Sequence, residues 1–257
     1  MKKLLVGKTA IITGASKGIG LATAKLFIEE GANVVLTSTK QHEIDQVVEE
    51  LKANGGNAIG LEADSGNPKT PKRVFAAAID AFGQVDILVN NAGYGDMVSI
   101  EECSDEHFEM VSQINYFGVF RFCREAVQHF IPRNAGVIVN VTSINGSLPL
   151  GGIAYTSTKG AVNTMTTNIA VRFSGTGIRC NAVAPGNTAT PMAKAWAAGE
   201  LAGGSKMVEY AAKYSNQELA YTEAEDQANA ILYLASDQAK AVTGRILVVD
   251  NGAYIGA

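Results

Sequence analysis

Two groups of residues have the types and spacing to do chemistry. Tyr155 and Lys159 stand four residues apart in a stretch of helical pattern, so their side chains share one face. A free phenol has a pKa of about 10, too high for a base at neutral pH. A lysine cation one turn away stabilises the phenolate and brings it within reach. Ser143 follows the apolar run 136–141 and carries a hydroxyl that can donate to a carbonyl oxygen. Alone, a Tyr-x-x-x-Lys spacing is frequent by chance. The second group is the turn Gly14-Ala15-Ser16-Lys17-Gly18-Ile19-Gly20, set between the apolar run 9–13 and a helical stretch. Such a turn leaves N–H groups free at a helix N-terminus for a pyrophosphate and keeps side chains out of its approach. Gly14 permits the tight turn, Gly18 lets the backbone come close, and Gly20 lets helix pack on strand.

Two other readings of these residues compete. Gly7-Lys8-Thr9 looks like the tail of a P-loop, but the required first glycine would fall at Lys2. Gly14-Ala15-Ser16-Lys17-Gly18 also fits the G-x-S-x-G elbow of α/β-hydrolases. That chemistry needs a downstream acid and histidine, and the histidines are His42, His107 and His129, all in helical pattern and expected as solvated surface residues. The elbow also follows a central strand, not the first one.

The elements that must position these groups alternate along the chain. Candidate strands are 9–13, 33–37, 58–62, 87–90, 136–141, 179–184 and 245–249. Between them Ile44, Val47, Val48 and Leu51, then Val74, Ala77, Ala78 and Ala81, then Ala224, Ala228, Ile231, Leu232 and Ala235 mark buried helical faces. Unbroken Val/Ile runs between helices imply strands buried on both sides. The expected fold is α/β, a single doubly wound, Rossmann-type parallel sheet of about seven strands with helices on both faces, in one domain over 1–257. The segment 187–216 interrupts the rhythm and reads as a lid.

Composition narrows the partners. The net charge of -4 and the absence of a basic run of five exclude a nucleic-acid surface. No apolar run approaches ~18 residues, and the apolar stretch after Met1-Lys2-Lys3 is too short for a signal peptide. Cys103, Cys123 and Cys180 form no C-x-x-C pair and read as reduced, mostly buried thiols of a cytoplasmic protein. No metal-ligand cluster is present, so no metal is expected.

Taken in order, Thr13 to Gly20, Asn90-Asn91-Ala92-Gly93, Asn115, Ser143, Tyr155-x-x-x-Lys159 and Pro185-Gly186 resemble the short-chain dehydrogenase/reductase family over essentially the whole chain. The resemblance implies an oxidoreductase that passes hydride between a nicotinamide dinucleotide and a secondary alcohol or ketone. Tyr155 would be the acid/base, Lys159 would lower its pKa and bind the nicotinamide ribose, Ser143 would polarise the carbonyl, and Asn115 would hold a proton-relaying water. Gly14, Ser16, Lys17, Gly18, Ile19 and Gly20 would cradle the cofactor, with Ala92 and Gly93 also on it, Asn90 beside the adenosine ribose and Asp64 beside the adenine. Pro185, Gly186, Thr188 and Thr190 would frame the carboxamide, although the position of Thr188 is commonly aliphatic. Asp250-Asn251-Gly252 replaces the usual Asp-Gly-Gly near the C-terminus, where family members build a tetramer interface, which implies a homotetramer.

Cofactor choice rests on the end of the second strand, Thr37-Ser38-Thr39-Lys40. An NAD enzyme places an acid there for the ribose 2′-hydroxyl. Here none is present, and Lys17 and Lys40, assisted by Ser38 and Thr39, could instead face a 2′-phosphate, which favours NADP over NAD. In the lid, Met192 and Trp196 are i, i+4, and Met207, Tyr210 and Tyr214 are i, i+3, i+7. They are expected to form two short helices whose apolar face packs on the body and closes in part over a bulky apolar substrate. Acyl-carrier-protein reductases often carry an arginine at the position of Thr176. The lid and the segments 178–183 and 229–237 look like bacterial hydroxysteroid dehydrogenases acting on bile acids. The alternatives are a 3-oxoacyl reductase, a general carbonyl or polyol reductase, and a non-catalytic NADP(H)-sensing protein.

Overall fold

The apolar runs become strands because each offers side chains to both faces of a sheet. The computed structural model describes residues 3–203, 205–214, 216 and 218–254. Gly204 and Ser215, within the expected lid, lie outside the described residues, as do Met1 and Lys2. The strands are β1 (Thr9–Ile12), β2 (Asn33–Ser38), β3 (Asn57–Glu62), β4 (Ile87–Asn90), β5 (Gly136–Val141), β6 (Ile178–Pro185) and β7 (Ile246–Val249), within one residue or so of expectation. They form one parallel sheet in the order β3-β2-β1-β4-β5-β6-β7. Alternation feeds two cores: Ile12, Val34 and Leu36 point to one face with Phe27 and Ile231, and Ile11, Val35 and Leu88 to the other with Phe75, Phe122 and Phe130.

The helices α1 (Gly18–Glu29), α2 (Gln41–Ala53), α3 (Thr70–Phe82), α4 (Asp105–Ser112), α5 (Val119–Phe130) and α6 (Ile153–Arg172) cover the faces. On α2 the expected stripe Ile44, Val47, Val48 and Leu51 is buried. On α3 the stripe is rotated. Phe75 takes the core with Val74 and Ala78, and Ala81 is exposed, because burying a phenylalanine removes far more apolar area than burying an alanine. Two further helices, α7 (Pro191–Ala197) and α8 (Ser205–Ala212), form the excursion, and α9 (Ala224–Ala235) returns the chain to the sheet.

The excursion is closed at its base. Ala189 N–H donates to the Thr222 carbonyl at 2.8 Å and Thr222 N–H to that of Asn187 at 3.0 Å. The second helix is turned relative to expectation. Tyr210 and Tyr214 are each 55 % exposed, and Val208, Ala211 and Ala212 face inward with Met192 and Trp196. Among the described residues no helix is long and apolar enough to cross a membrane.

Candidate active site

In an open parallel sheet the loops leaving the C-terminal strand ends converge where strand order reverses. Here that point lies between β1 and β4, and a cavity of ≈ 800 Å³ opens above it. Its wall takes Gly14 after β1, Ser38 at the end of β2, Asp64 after β3, Asn91 after β4, Ser143 after β5 and Gly186 after β6.

The glycine turn is shaped for a phosphate. Gly14 and Gly18 have φ of +64° and +58°, in the left-handed region, and a Cβ at Gly14 would stand 2.8 Å from the Ala92 Cα. A Cβ at Gly20 would meet the Asn91 amide nitrogen and the Gly14 carbonyl, both at 2.5 Å. The Asn91 amide donates to the Thr13 and Gly14 carbonyls at 2.9 Å, and Thr13 Oγ1 accepts from the N–H groups of Asn91 and Ala92 at 3.0 Å. The turn is thus stitched to the loop after β4. Among the described residues no side chain caps α1, and its first turn holds no acid. Its leading N–H groups, which lack intrahelical acceptors, are left for an anion from outside the chain. These residues fit a dinucleotide pyrophosphate.

At the other end, Ser143, Tyr155 and Lys159 converge on the cavity, all nearly buried. The Ser143 hydroxyl hydrogen-bonds the Tyr155 phenol. Ser143 Oγ also accepts from the backbone N–H of Asn145 at 3.1 Å, so its lone pairs are held from behind. Lys159 Nζ donates to the Val141 carbonyl at 2.9 Å and lies 5.7 Å from the centre of the Tyr155 ring. Burial brings the lysine down to about 8. Burial also pushes the Tyr155 phenol up, Ser143 opposes this, and the charge of Asp96 adds to it. Lys159 is expected to lower that value, and within the protein alone it is anchored to a backbone carbonyl below the ring instead. Trp196 meets the Tyr155 ring edge-on at 6.5 Å.

Comparison with known proteins agrees with this geometry. The family model for short chain dehydrogenase matches residues 8–201. The chain belongs to the short-chain dehydrogenase family. This short-chain dehydrogenase is 37 % identical to 3beta-hydroxysteroid dehydrogenase 1 of Eggerthella lenta, over 96 % of this chain and 94 % of that protein. It is 34 % identical to glucose 1-dehydrogenase 2 of Bacillus subtilis, over 98 % and 96 %. A solved dehydrogenase/reductase from Sinorhizobium meliloti superposes with a TM-score of 0.84 at 31 % identity, covering 98 % of this chain and 96 % of that one. The chain is therefore an oxidoreductase of the type that acts on alcohols and ketones.

The remaining expected site residues of the dehydrogenase fall into three places. Ser16, Lys17, Ile19, Thr39, Lys40, Ala92, Gly93, Pro185, Thr188 and Thr190 all line the cavity. Thr188 turns its hydroxyl away, toward Thr222 at 3.0 Å and the buried Gln227, so its departure from an aliphatic residue leaves the cavity side to its backbone. The Asn90 side chain does not reach the cavity. It is 3 % exposed and its amide bonds Asn140 at 2.8 Å across the sheet, while Asn91 takes the wall. Asn115 sits in a π-helical turn, Gln113–Gly118, and its side-chain amide is engaged with both backbone groups of Tyr94 at 2.8 Å. π-Turns open the backbone ladder and recur at functional sites.

The sequence pattern misses two carboxylates. Glu43, on α2, lines the cavity, pairs with Lys40 at 3.0 Å and accepts from Ser16 Oγ at 3.2 Å; Lys40 holds its carboxyl below the ordinary value. The absence of an acid at the end of β2 thus does not leave that rim uncharged. A helical i, i+3 pairing from Lys40 is the signal that could have found it. The other is Asp96, in the loop after β4, buried against the start of α6. The histidines are also not all on the surface. His42 is exposed, but His129 accepts from the Val85 N–H at 3.1 Å and His107 faces Asp96. None lines the cavity near Ser16, so the elbow reading has no base.

Proposed function

We propose that this dehydrogenase interconverts a secondary alcohol and a ketone with NADP(H), leaning to a hydroxysteroid of the bile-acid type. The observation that carries this reading is the convergence of Ser143, Tyr155 and Lys159 on the cavity that the glycine turn closes at its other end. Bound nicotinamide dinucleotide supplies or takes up the hydride. In reduction, the Tyr155 hydroxyl gives its proton to the oxygen on which negative charge develops, and Ser143 donates a hydrogen bond to the same oxygen. Held at Val141, Lys159 keeps a cation below the Tyr155 ring and favours the phenolate in the reverse direction. A water relay through Asn115 would use its main-chain carbonyl, since the amide is engaged with Tyr94. The segment 187–216 acts as the lid of the single domain, and Met192, Trp196, Val208 and Ala211 give it an apolar underside suited to a bulky apolar substrate.

Support for NADP comes from Lys17 and Lys40 on the rim beside Ser38 and Thr39. A 2′-phosphate would compete with Glu43 for Lys40. The test is a panel of hydroxylated and oxo bile acids, acetoacetyl esters and small sugars, each with NADPH or NADH, or with their oxidised forms. We expect kcat/KM to be highest for a bile-acid pair and higher with the phosphorylated cofactor. Ser38→Asp should reverse the cofactor preference by placing an anion against the phosphate. Brisk turnover of a small polar ketone with none of any steroid moves the reading to a carbonyl or polyol reductase. Preference of the wild type for NADH overturns the cofactor reading, and binding of NADPH without any turnover leaves the sensor reading.

A homotetramer and a cytoplasmic location complete the proposal. Phe108, Phe117 and Phe120 are exposed along α4, its π-turn and α5, and the edge strand β7 exposes Leu247 and Val248. Apolar patches and bare strand edges of this kind call for a covering surface. Light scattering is expected to give four times the chain mass, and a monomer mass refutes the assembly.

A further inference from the structure

The helix that carries Tyr155 and Lys159 begins without a cap of its own. Its N-cap is Gly152, no side chain of the helix caps it, and its first turn contains no acid. The missing carboxylate is brought by Asp96, from the loop after β4. Asp96 is fully buried. A Cβ at Gly152 would collide with Asp96 Oδ1, and the Asp96 main-chain carbonyl accepts from Gly152 N–H at 2.9 Å. The carboxylate is held by the N–H of Val98, at 3.0 Å from Oδ1, and by that of Tyr155 itself, the third residue of α6. That is the N–H an N-cap side chain ordinarily satisfies.

The other oxygen faces α4. Asp96 Oδ2 and His107 Nε2 are 3.8 Å apart, and neither has a hydrogen-bond partner among the described residues. His107 is fixed in the first turn of α4, where its N–H donates to Ser104 Oγ at 3.2 Å, and its ring stands edge-on to Tyr94. The loop that carries Asp96 touches the rest of the site. Tyr94 exchanges two hydrogen bonds with Asn115, and Met97 N–H donates to the Ala202 carbonyl of the excursion at 2.7 Å. The charge of Asp96 acts on Cys103, ahead of α4, and on Tyr155, on α6, and His107, on α4, acts on Asp96; Asp105, the first residue of α4, acts on Cys103.

We propose that Asp96 is a positioning residue that caps the catalytic helix from outside, with His107 as its counter-group, and so sets where Tyr155 stands and how much negative charge lies beside it. The inference rests on Tyr155 being the acid/base. Two directions follow. An uncapped α6 frays at the turn that carries the phenol, and displacement of an acid/base by about 1 Å lowers turnover by up to about 10²-fold. A buried anion near a phenol opposes its ionisation, so removing it makes the phenolate easier to form. Burial raises Asp96 itself, and the nearby histidine opposes that rise.

The test uses the full-length protein and does not depend on the substrate. Tyrosinate ultraviolet titration of the wild type, with the Tyr155→Phe titration subtracted, isolates the Tyr155 step. The same pair is then measured in an Asp96→Asn background. We expect the step to move to lower pH by about 0.5 unit or more. Amide exchange at 153–156 should stay near wild type in Asp96→Asn, whose amide oxygen still caps, and quicken about tenfold in Asp96→Leu, which has no acceptor, while that at 162–170 stays unchanged in both. An unmoved step in Asp96→Asn with unchanged exchange at the start of α6 in Asp96→Leu overturns the proposal, as does a loss of melting temperature without either change. If Asp96→Asn does not fold, His107→Leu decides. It should quicken exchange at 153–156, and His107→Gln, which keeps a donor there, should largely reverse this. Identical exchange in His107→Leu and wild type overturns it. Full turnover in Tyr155→Phe would instead overturn the reading of the active site, a separate failure.

Discussion

Tyr155→Phe is expected to lower turnover by about 10²-fold or more while leaving the dinucleotide affinity nearly unchanged, because the substitution keeps the ring and removes the transferable proton. The ring itself is structural. It is nearly buried, packs edge-on against Trp196 and lies over Lys159. Phenylalanine fills the same place, so a loss of activity cannot be assigned to unfolding if the melting temperature holds. Ser143 remains as a single donor at the developing charge, which accounts for the residual rate. Steady-state turnover beside cofactor titration by fluorescence checks both halves, and near-full activity in this variant refutes the mechanism.

Lys159→Met is expected to be strongly impaired yet more stable than the wild type without cofactor. The lysine is buried and its pKa falls from 10.5 to about 8 through burial. In the window between those values the unfolded chain binds more protons than the folded one, so stability rises as pH rises through it. Below pH 8 the buried ammonium destabilises the fold in full, by about 3 kcal/mol for a shift of this size. Methionine removes that penalty but leaves the Val141 carbonyl without its donor, which costs about 1–3 kcal/mol. The net expectation at pH 7 is a gain of about 1 kcal/mol, or a melting temperature higher by about 2–4 °C. The gain should vanish as pH is raised toward 10.5. Turnover should fall about 10²-fold, since the charge that favours the phenolate is gone. Calorimetry across pH decides the matter: a variant less stable than wild type at neutral pH shows that the lysine is not a strained element of the site.

Strands and most helices were legible in the sequence because their signal is local. A run such as Ile11-Ile12 or Val34-Val35-Leu36, set between helical stretches, reads as a strand buried on both faces, as central strands of a parallel sheet are. The glycine turn was legible for the same kind of reason, since positive φ at Gly14 and Gly18 is a property of the turn itself. The pairing of Tyr155 with Lys159 needs only one turn of helix. What depended on rotation about a helix axis was not legible. Phe75 displaced Ala81 from the core of α3, and Val208 and Ala211 took the inner face of α8 from Tyr210, because neighbouring surfaces decide which stripe is buried. Nor were contacts between distant segments: Asn90 reaches Asn140 across 50 residues, and Asp96 meets the start of α6. By itself, then, the sequence determined the parallel sheet, the phosphate-shaped turn and the Ser143, Tyr155 and Lys159 set, each fixed by neighbours within a few residues. Only the tertiary structure decided that Glu43 would hold Lys40 at the rim and that Asp96 would cap the catalytic helix, because a carboxylate's partner is chosen by where the folded chain brings it and by the burial that makes a partner necessary.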